Sequence, residues 1–409
     1  MAGAVDAEGR PVMSVSDLGN PYGLCVRHSN TGSGNLSKWE LQDQARTLLR
    51  NERVSACCRV VKPDQSGYMG SVTVMADSRT AWFRGVVHCG SVWTCPVCAG
   101  RIGERRREEL QRAIDSAIGQ GWDVALVTHT IRHRRQDDVK ALLANLALAR
   151  RKQTSGRRYK AIKEKYGIVG GVRALEVTHG NNGWHPHYHE IMFFSRPLSG
   201  AEMQLLKSEL YALWKMACEK VGLGEPSEHH GVDVRGASKA AQYVGKWGFA
   251  SELTRSSAKS LGAGRNPWQL LHDCAQGDRQ AGALFVEFSK AFKGRCQLFW
   301  SRGLREALDL GELFSDEELA TREEIDADDV PREIIQIRPH LWAKICRING
   351  RGRVLHLALK GRPGELEAWL ARVDDLVQLR WLIDDLAING KIQRALGRCY
   401  GMSPELYAA

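Results

Sequence analysis

The stretch Trp184-His185-Pro186-His187-Tyr188-His189-Glu190-Ile191-Met192-Phe193-Phe194 sets three histidines at every second position ahead of an apolar run. Side chains alternate faces along a β-strand, so His185, His187 and His189 share one face while Pro186, Tyr188 and Glu190 take the other. Three imidazoles so aligned repel one another if charged and need partners if neutral, which favours a metal site over an ordinary buried histidine. Just upstream, Val172-Arg173-Ala174-Leu175-Glu176-Val177-Thr178 reads as a second strand, and His179-Gly180-Asn181-Asn182-Gly183 is turn material. The two strands predict a hairpin. With its centre between Asn181 and Asn182, Glu176 falls opposite His187, and opposed residues share a face with Cβ atoms about 5 Å apart. Glu176, His187 and His189 are therefore the predicted ligands of one ion. A one-residue bulge would turn Glu176 to the other face, leaving His185 or His129 to be considered instead. Two imidazoles and a carboxylate with open positions suit a divalent ion such as magnesium or manganese that polarises a phosphate.

His187-Tyr188-His189 resembles the two histidines around one hydrophobic residue for which the HUH endonucleases are named, and within them the rolling-circle replication initiators, or Rep proteins, of bacterial plasmids. The resemblance implies a nucleophilic tyrosine on a later helix, written hydrophobic-x-x-Tyr-hydrophobic-x-Lys. Ala240-Ala241-Gln242-Tyr243-Val244-Gly245-Lys246 answers to it. Tyr243 and Lys246, three apart, lie on one helix face. Their expected chemistry follows from the family: Tyr243 attacks a scissile phosphate in single-stranded DNA, leaving a 5′ phosphotyrosine link and a free 3′ hydroxyl, and Lys246 sits beside the phosphate. Val124 to Ile131 resembles the family's first motif, a strand lining the site. In one respect the chain departs from the branch, because Lys239 stands four residues before the tyrosine where related initiators carry a carboxylate that hydrolyses the final link. Asp233 and Glu252 are the conceivable substitutes.

The rest of the chain is compatible with that reading. Its 409 residues are 43% hydrophobic, enough for packed cores, and its net charge of +11 favours an anionic partner, nucleic acid before membrane. No apolar run approaches the roughly twenty residues needed to span a bilayer, so a cytoplasmic location is expected. Eleven cysteines in such a compartment are better explained as thiols and metal ligands than as disulfides. Cys95-Pro96-Val97-Cys98 has the spacing of a tetrahedral zinc knuckle, with Cys89 as third ligand and Cys58, or its neighbour Cys57, as fourth. A structural zinc is expected there, and similar cysteine clusters precede the catalytic domain in the family.

An α+β fold follows, with an antiparallel sheet covered by helices on one face in the manner of a split βαβ unit, preceded by a zinc-binding unit and followed by a mainly helical region. The predicted divisions are a flexible tail over 1–37, the zinc unit over 38–118, the nicking domain over 119–305, an acidic linker over 306–338 and a helical domain over 339–409. Arg157, Arg158 and Lys160, in a basic run with only Glu164 to offset it, are the candidate DNA-backbone contacts, and Tyr159 and Tyr166 the candidate base-stacking aromatics. Arg105-Arg106-Arg107 can serve phosphates or simply pair with Glu104, Glu108 and Glu109. The partners expected are single-stranded and double-stranded origin DNA, with a host helicase for the C-terminal region. Two other classes share part of this pattern: a transposase or relaxase with the same chemistry, and a zinc-containing DNA-binding regulator without it.

Overall fold

The computed structural model describes residues 36–67, 70–245, 264–322 and 329–378. In chain order it contains α1 (Lys38–Leu48), β1 (Val72–Ala76), β2 (Ala81–Arg84), α2 (Pro96–Gly119), β3 (Asp123–His129), α3 (Val139–Thr154), α4 (Arg157–Tyr166), β4 (Ile168–Gly180) and β5 (Gly183–Phe194). These are followed by α5 (Gly200–Lys220), β6 (Val232–Arg235), α6 (Ala237–Gly245), α7 (Pro267–Ala275), α8 (Arg279–Phe292) and β7 (Leu298–Trp300). The last described elements are α9 (Leu304–Ala307), α10 (Asp316–Thr321), β8 (Arg332–Ile337), α11 (Pro339–Arg347), α12 (Arg351–Lys360) and α13 (Glu365–Ala371). No described helix is long and apolar enough to cross a membrane.

The chain divides into two compact units. The larger comprises residues 41–55 and 88–322 and is built on a five-stranded antiparallel sheet in the order β6-β3-β5-β4-β7. The β4–β5 hairpin is its centre. Gly180 pairs with Gly183 across the two-residue turn Asn181-Asn182, and Glu176 pairs with His187, the register that alternation and turn chemistry predicted. Its register shift lies at the far end, between Ile168 and Gly170, so the face carried by Glu176 is undisturbed. Gly183 sits at φ 82, a left-handed conformation that glycine adopts without steric cost.

Helix boundaries follow local chemistry. Asp138 caps α3 by accepting from the Ala141 N–H, Ser199 and Glu202 form a capping box at α5, and Pro96 opens α2 where its missing N–H costs nothing. The helices, expected on one face of the sheet, cover part of both. Leu110, Ala113, Ile114 and Ala117 of α2 and Ala240 and Val244 of α6 pack with Val124, Val172, Ile191 and Phe193 of the sheet in one buried cluster. On the opposite face Arg150 of α3 forms a buried ion pair with Glu190, and Trp214 of α5 sets its ring 5.0 Å from that of His129. The amphipathic periods of α2 and α6 required only some apolar surface to cover, and strand residues of alternating burial supply one on each side.

The smaller unit takes residues 56–87 together with the described residues from 329 onward. Its sheet has the order β2-β1-β8, all antiparallel. Phe83 packs edge-on against Trp342 at 4.6 Å, and the fully buried Arg351 donates to the Cys58 carbonyl and to Asn349. The described part of the C-terminal region is mainly helical, as expected, but its α12 packs on β1 and β2, so it shares a fold with residues 56–87 instead of standing as a separate domain after a linker. Part of the predicted acidic linker is α10 and β8. Charge density along a segment reports solvation and not strand pairing, which is why composition suggested a boundary there. The predicted tail over 1–37 lies almost wholly outside the described residues.

Candidate metal and nucleophile site

The site lies within the larger unit and is assembled from β4, β5 and α6. Oε2 of Glu176 stands 3.7 Å from Nε2 of His187 and 3.6 Å from Nε2 of His189. Ligand atoms of the three residues all lie within 4.8 Å of one another. That spacing is longer than direct hydrogen bonds require and suits three donors converging on a shared ion. The outward nitrogens are held as well. His187 Nδ1 lies 3.1 Å from the His185 carbonyl oxygen, an acceptor only, so Nδ1 carries the proton and Nε2 presents its lone pair. His189 Nδ1 lies 2.9 Å from Oγ1 of Thr128, which stands opposite it on β3. Such partners behind metal-ligating imidazoles fix ring orientation and tautomer.

Tyr243, on α6, closes the group. Its hydroxyl donates to Oε1 of Glu176 at 2.6 Å, and its ring centroid is 4.9 Å from that of His189. Burial by itself would push the Glu176 carboxyl up. The close approach of His187, the charge that His189 and His187 carry when protonated and the Tyr243 hydroxyl outweigh it and hold the group at about 2. For His187, burial acts downward but the attraction of the nearby Glu176 carboxylate prevails, and its pKa is raised. The carboxylate is thus ionised at neutral pH, the form that binds a cation.

His185 shares the strand face but is not one of the three. Its ring stacks on that of His187 at 4.9 Å and on that of His133 at 4.7 Å, and burial followed by its imidazole neighbours lowers its pKa to about 3. His129 points to the opposite face, fully buried beside Gln153 and Trp214. Lys246 lies outside the described residues, as does Glu252. Asp233 is held by Lys207 and Arg235 at 3.0 and 2.7 Å, and Lys239 by Gln242.

Sequence reasoning missed Thr128. Its signal was present, since a polar residue on the β3 face that otherwise carries Val124 and Leu126 invites a cross-strand partner, but the β3–β5 register had to be known.

Of the predicted zinc ligands, Cys89, Cys95 and Cys98 are buried in the larger unit, with 3.7 Å between the sulfurs of Cys89 and Cys98. Cys95 is the N-cap of α2, its sulfur accepting from the Cys98 N–H, and the Gln42 carboxamide donates to the same sulfur at 3.2 Å. Buried thiols at this spacing form a group that could hold a metal ion. Cys57 and Cys58, in the smaller unit, are buried with their sulfurs 3.8 Å apart, and Cys58 has φ 52.

Arg157, Arg158 and Lys160 are exposed on α4. That helix packs against α5 and the start of β4, on the side of the sheet away from Glu176. Tyr166, expected to stack on bases, is buried at 1% exposure, and Arg150, just before the basic run, is committed to Glu190 and Gln153. Arg106 is buried against Glu109 and Arg107 pairs with Glu104 at 2.6 Å, which makes these arginines part of helix packing. Periodicity alone could not separate a buried cation from an exposed one in such a run.

With this geometry in hand, comparison with known proteins is specific. The profile of a family described as "Replication protein" matches residues 83–345. The chain is similar to "Protein rep" of Streptomyces lividans, with 29% identity over 309 residues covering 59% of this chain and 68% of the relative. It is also similar to a "Neomycin resistance protein" of Streptomyces cyanogenus, with 32% identity over 133 residues covering 26% of this chain and 30% of that protein. No solved structure matches it.

Proposed function

The chain belongs to the replication protein family, and from that premise and the geometry of the site we propose that it initiates rolling-circle replication of a plasmid by nicking and rejoining origin DNA. The observation that carries the reading is the hydrogen bond from Tyr243 to Glu176, which sets a phenol beside a three-ligand group fit for a divalent cation. Magnesium or manganese held by Glu176, His187 and His189 would supply Lewis-acid polarisation of the scissile phosphate. The chain's own residues do the rest. Tyr243 forms a new phosphorus–oxygen bond as the bond to the 3′ oxygen breaks, leaving a free 3′ hydroxyl and a 5′ phosphotyrosine link that conserves the phosphodiester for rejoining. Thr128 and the His185 carbonyl keep the two imidazoles oriented, and Lys246 is proposed to offset charge on the phosphate oxygens.

Three further assignments belong to the same proposal. A structural zinc is held by the thiols of Cys89, Cys95 and Cys98. Arg157, Arg158 and Lys160 bind DNA backbone, and because α4 lies on the far side of the sheet they serve flanking duplex while the scissile strand lies along the metal face. The protein works in the cytoplasm. The test is mass spectrometry after incubation with origin single strand and manganese. A tryptic adduct on the peptide containing Tyr243 is expected, and an adduct on another tyrosine overturns the assignment of the nucleophile.

A further inference from the structure

Beside the site the outer edge of β4 is interrupted. The Leu175 N–H donates to the Gln297 carbonyl at 2.9 Å, and two residues beyond Val177 the His179 N–H and C=O exchange hydrogen bonds with Arg265 at 2.8 and 2.7 Å. Hydrogen-bonding direction alternates along a strand, so the N–H and C=O of Val177, midway between, point to the same side. Among the described residues neither has a partner there. The gap opens into a cavity of about 220 Å³ whose walls include Trp93, Trp268 and Phe288 and whose lining also includes Glu176 and His187 of the metal group. A buried strand edge that offers one donor and one acceptor is costly unless something completes it.

We infer that this cavity takes a single unstacked nucleobase of the strand being cut, the base lying against the indoles and pairing its edge with the backbone of Val177. The inference rests on the reading of the site as one that acts on a DNA phosphate. It adds a specificity element that the ligand set does not contain. The space is smaller than the roughly 300 Å³ at which drug-sized pockets begin, which fits one flat base and excludes a longer stacked segment. A base has adjacent donor and acceptor atoms on its edge, matching the paired groups of one strand residue. Because Glu176 and His187 border the same cavity, the base it holds belongs to a nucleotide next to the scissile phosphate or one removed from it. The Gln297 side chain, partly buried at the rim, is placed to discriminate among bases.

Two arms test this. In the first, wild-type protein with manganese captures strands covalently from a randomised single-stranded pool, and the captured sequence is then walked with single abasic sites. One position by the nick should slow adduct formation about tenfold or more, a loss typical of one stacked base. Gln297→Ala, which shortens the side chain at the rim, should weaken base preference at that position. In the second arm, Tyr243→Phe protein in EDTA binds strands carrying 2-aminopurine at successive positions. One position should change emission strongly, and Gln297→Phe, which fills the cavity, should abolish that change without shifting the thermal midpoint. Uniform responses along the strand in either arm overturn the pocket. If wild-type protein captures no strand, the nicking reading fails, and the fluorescence arm still decides the pocket by itself.

Discussion

The hydroxyl of Tyr243 donates a 2.6 Å hydrogen bond to Oε1 of Glu176, whose other oxygen faces the Nε2 atoms of His187 and His189. One carboxylate therefore joins the helix that carries the phenol to the hairpin that carries the imidazoles. Tyr243→Phe removes the proposed attacking oxygen and leaves the ring against His189. The variant is expected to bind single-stranded DNA with near-normal affinity and salt dependence while forming no covalent adduct, as seen on a denaturing gel. Full adduct formation by this variant would remove Tyr243 from the mechanism.

Thr128 supports His189 from the neighbouring strand, so Thr128→Val should weaken manganese binding roughly 10- to 100-fold, the usual cost of removing a partner behind a metal-ligating imidazole. Isothermal titration of the variant gives the affinity directly. Since valine suits a strand, the unfolding midpoint should move little. An unchanged affinity would show that His189 is oriented by other means.

Acid should destabilise the larger unit through His129. Burial first, then the charges of Arg150, Arg173 and His189, hold its pKa well below the ordinary 6.5. The folded protein keeps this ring neutral, while the unfolded chain takes up a proton as pH falls through about 6.5, so stability is retained above that pH and lost progressively below it. His129→Leu should flatten the loss in denaturant midpoint between neutrality and mildly acid pH. An unaltered slope would assign the acid sensitivity elsewhere.

Cys95→Ser separates metal binding from helix capping, because serine is itself a favoured N-cap and keeps α2 started. Any large fall in thermal midpoint then reports loss of the ion, whose binding free energy is folding free energy. Elemental analysis of wild-type protein should find tightly held zinc, and of the variant substantially less.

Replacing Arg157, Arg158 and Lys160 together by alanine should lower affinity for origin duplex and flatten its salt dependence by up to three phosphate contacts, or a slope change of about 3. Adduct formation on a short single strand should be unaffected, because α4 lies across the sheet from Tyr243. Equal losses in both assays would place the scissile strand along α4 instead.

What the sequence by itself determined is local. Alternation over residues 184–194, the asparagine turn and the strand before it settle the hairpin register, because a two-residue turn leaves one way to pair the strands and a slip would turn every histidine to the wrong face. Apolar periods likewise mark helices, since Leu110 and Ile114 of α2 and Leu206 and Leu210 of α5 recur at four-residue spacing and are buried. Only the tertiary structure decided that Thr128 stands behind His189, that the β4 edge opens at Val177, that Tyr166 and Arg150 face inward, and that residues 56–87 fold with those after 329. Each of these depends on pairing between segments far apart in the chain. Local periodicity says which face of an element is apolar, and the partner that covers that face is chosen by the packing of the whole fold.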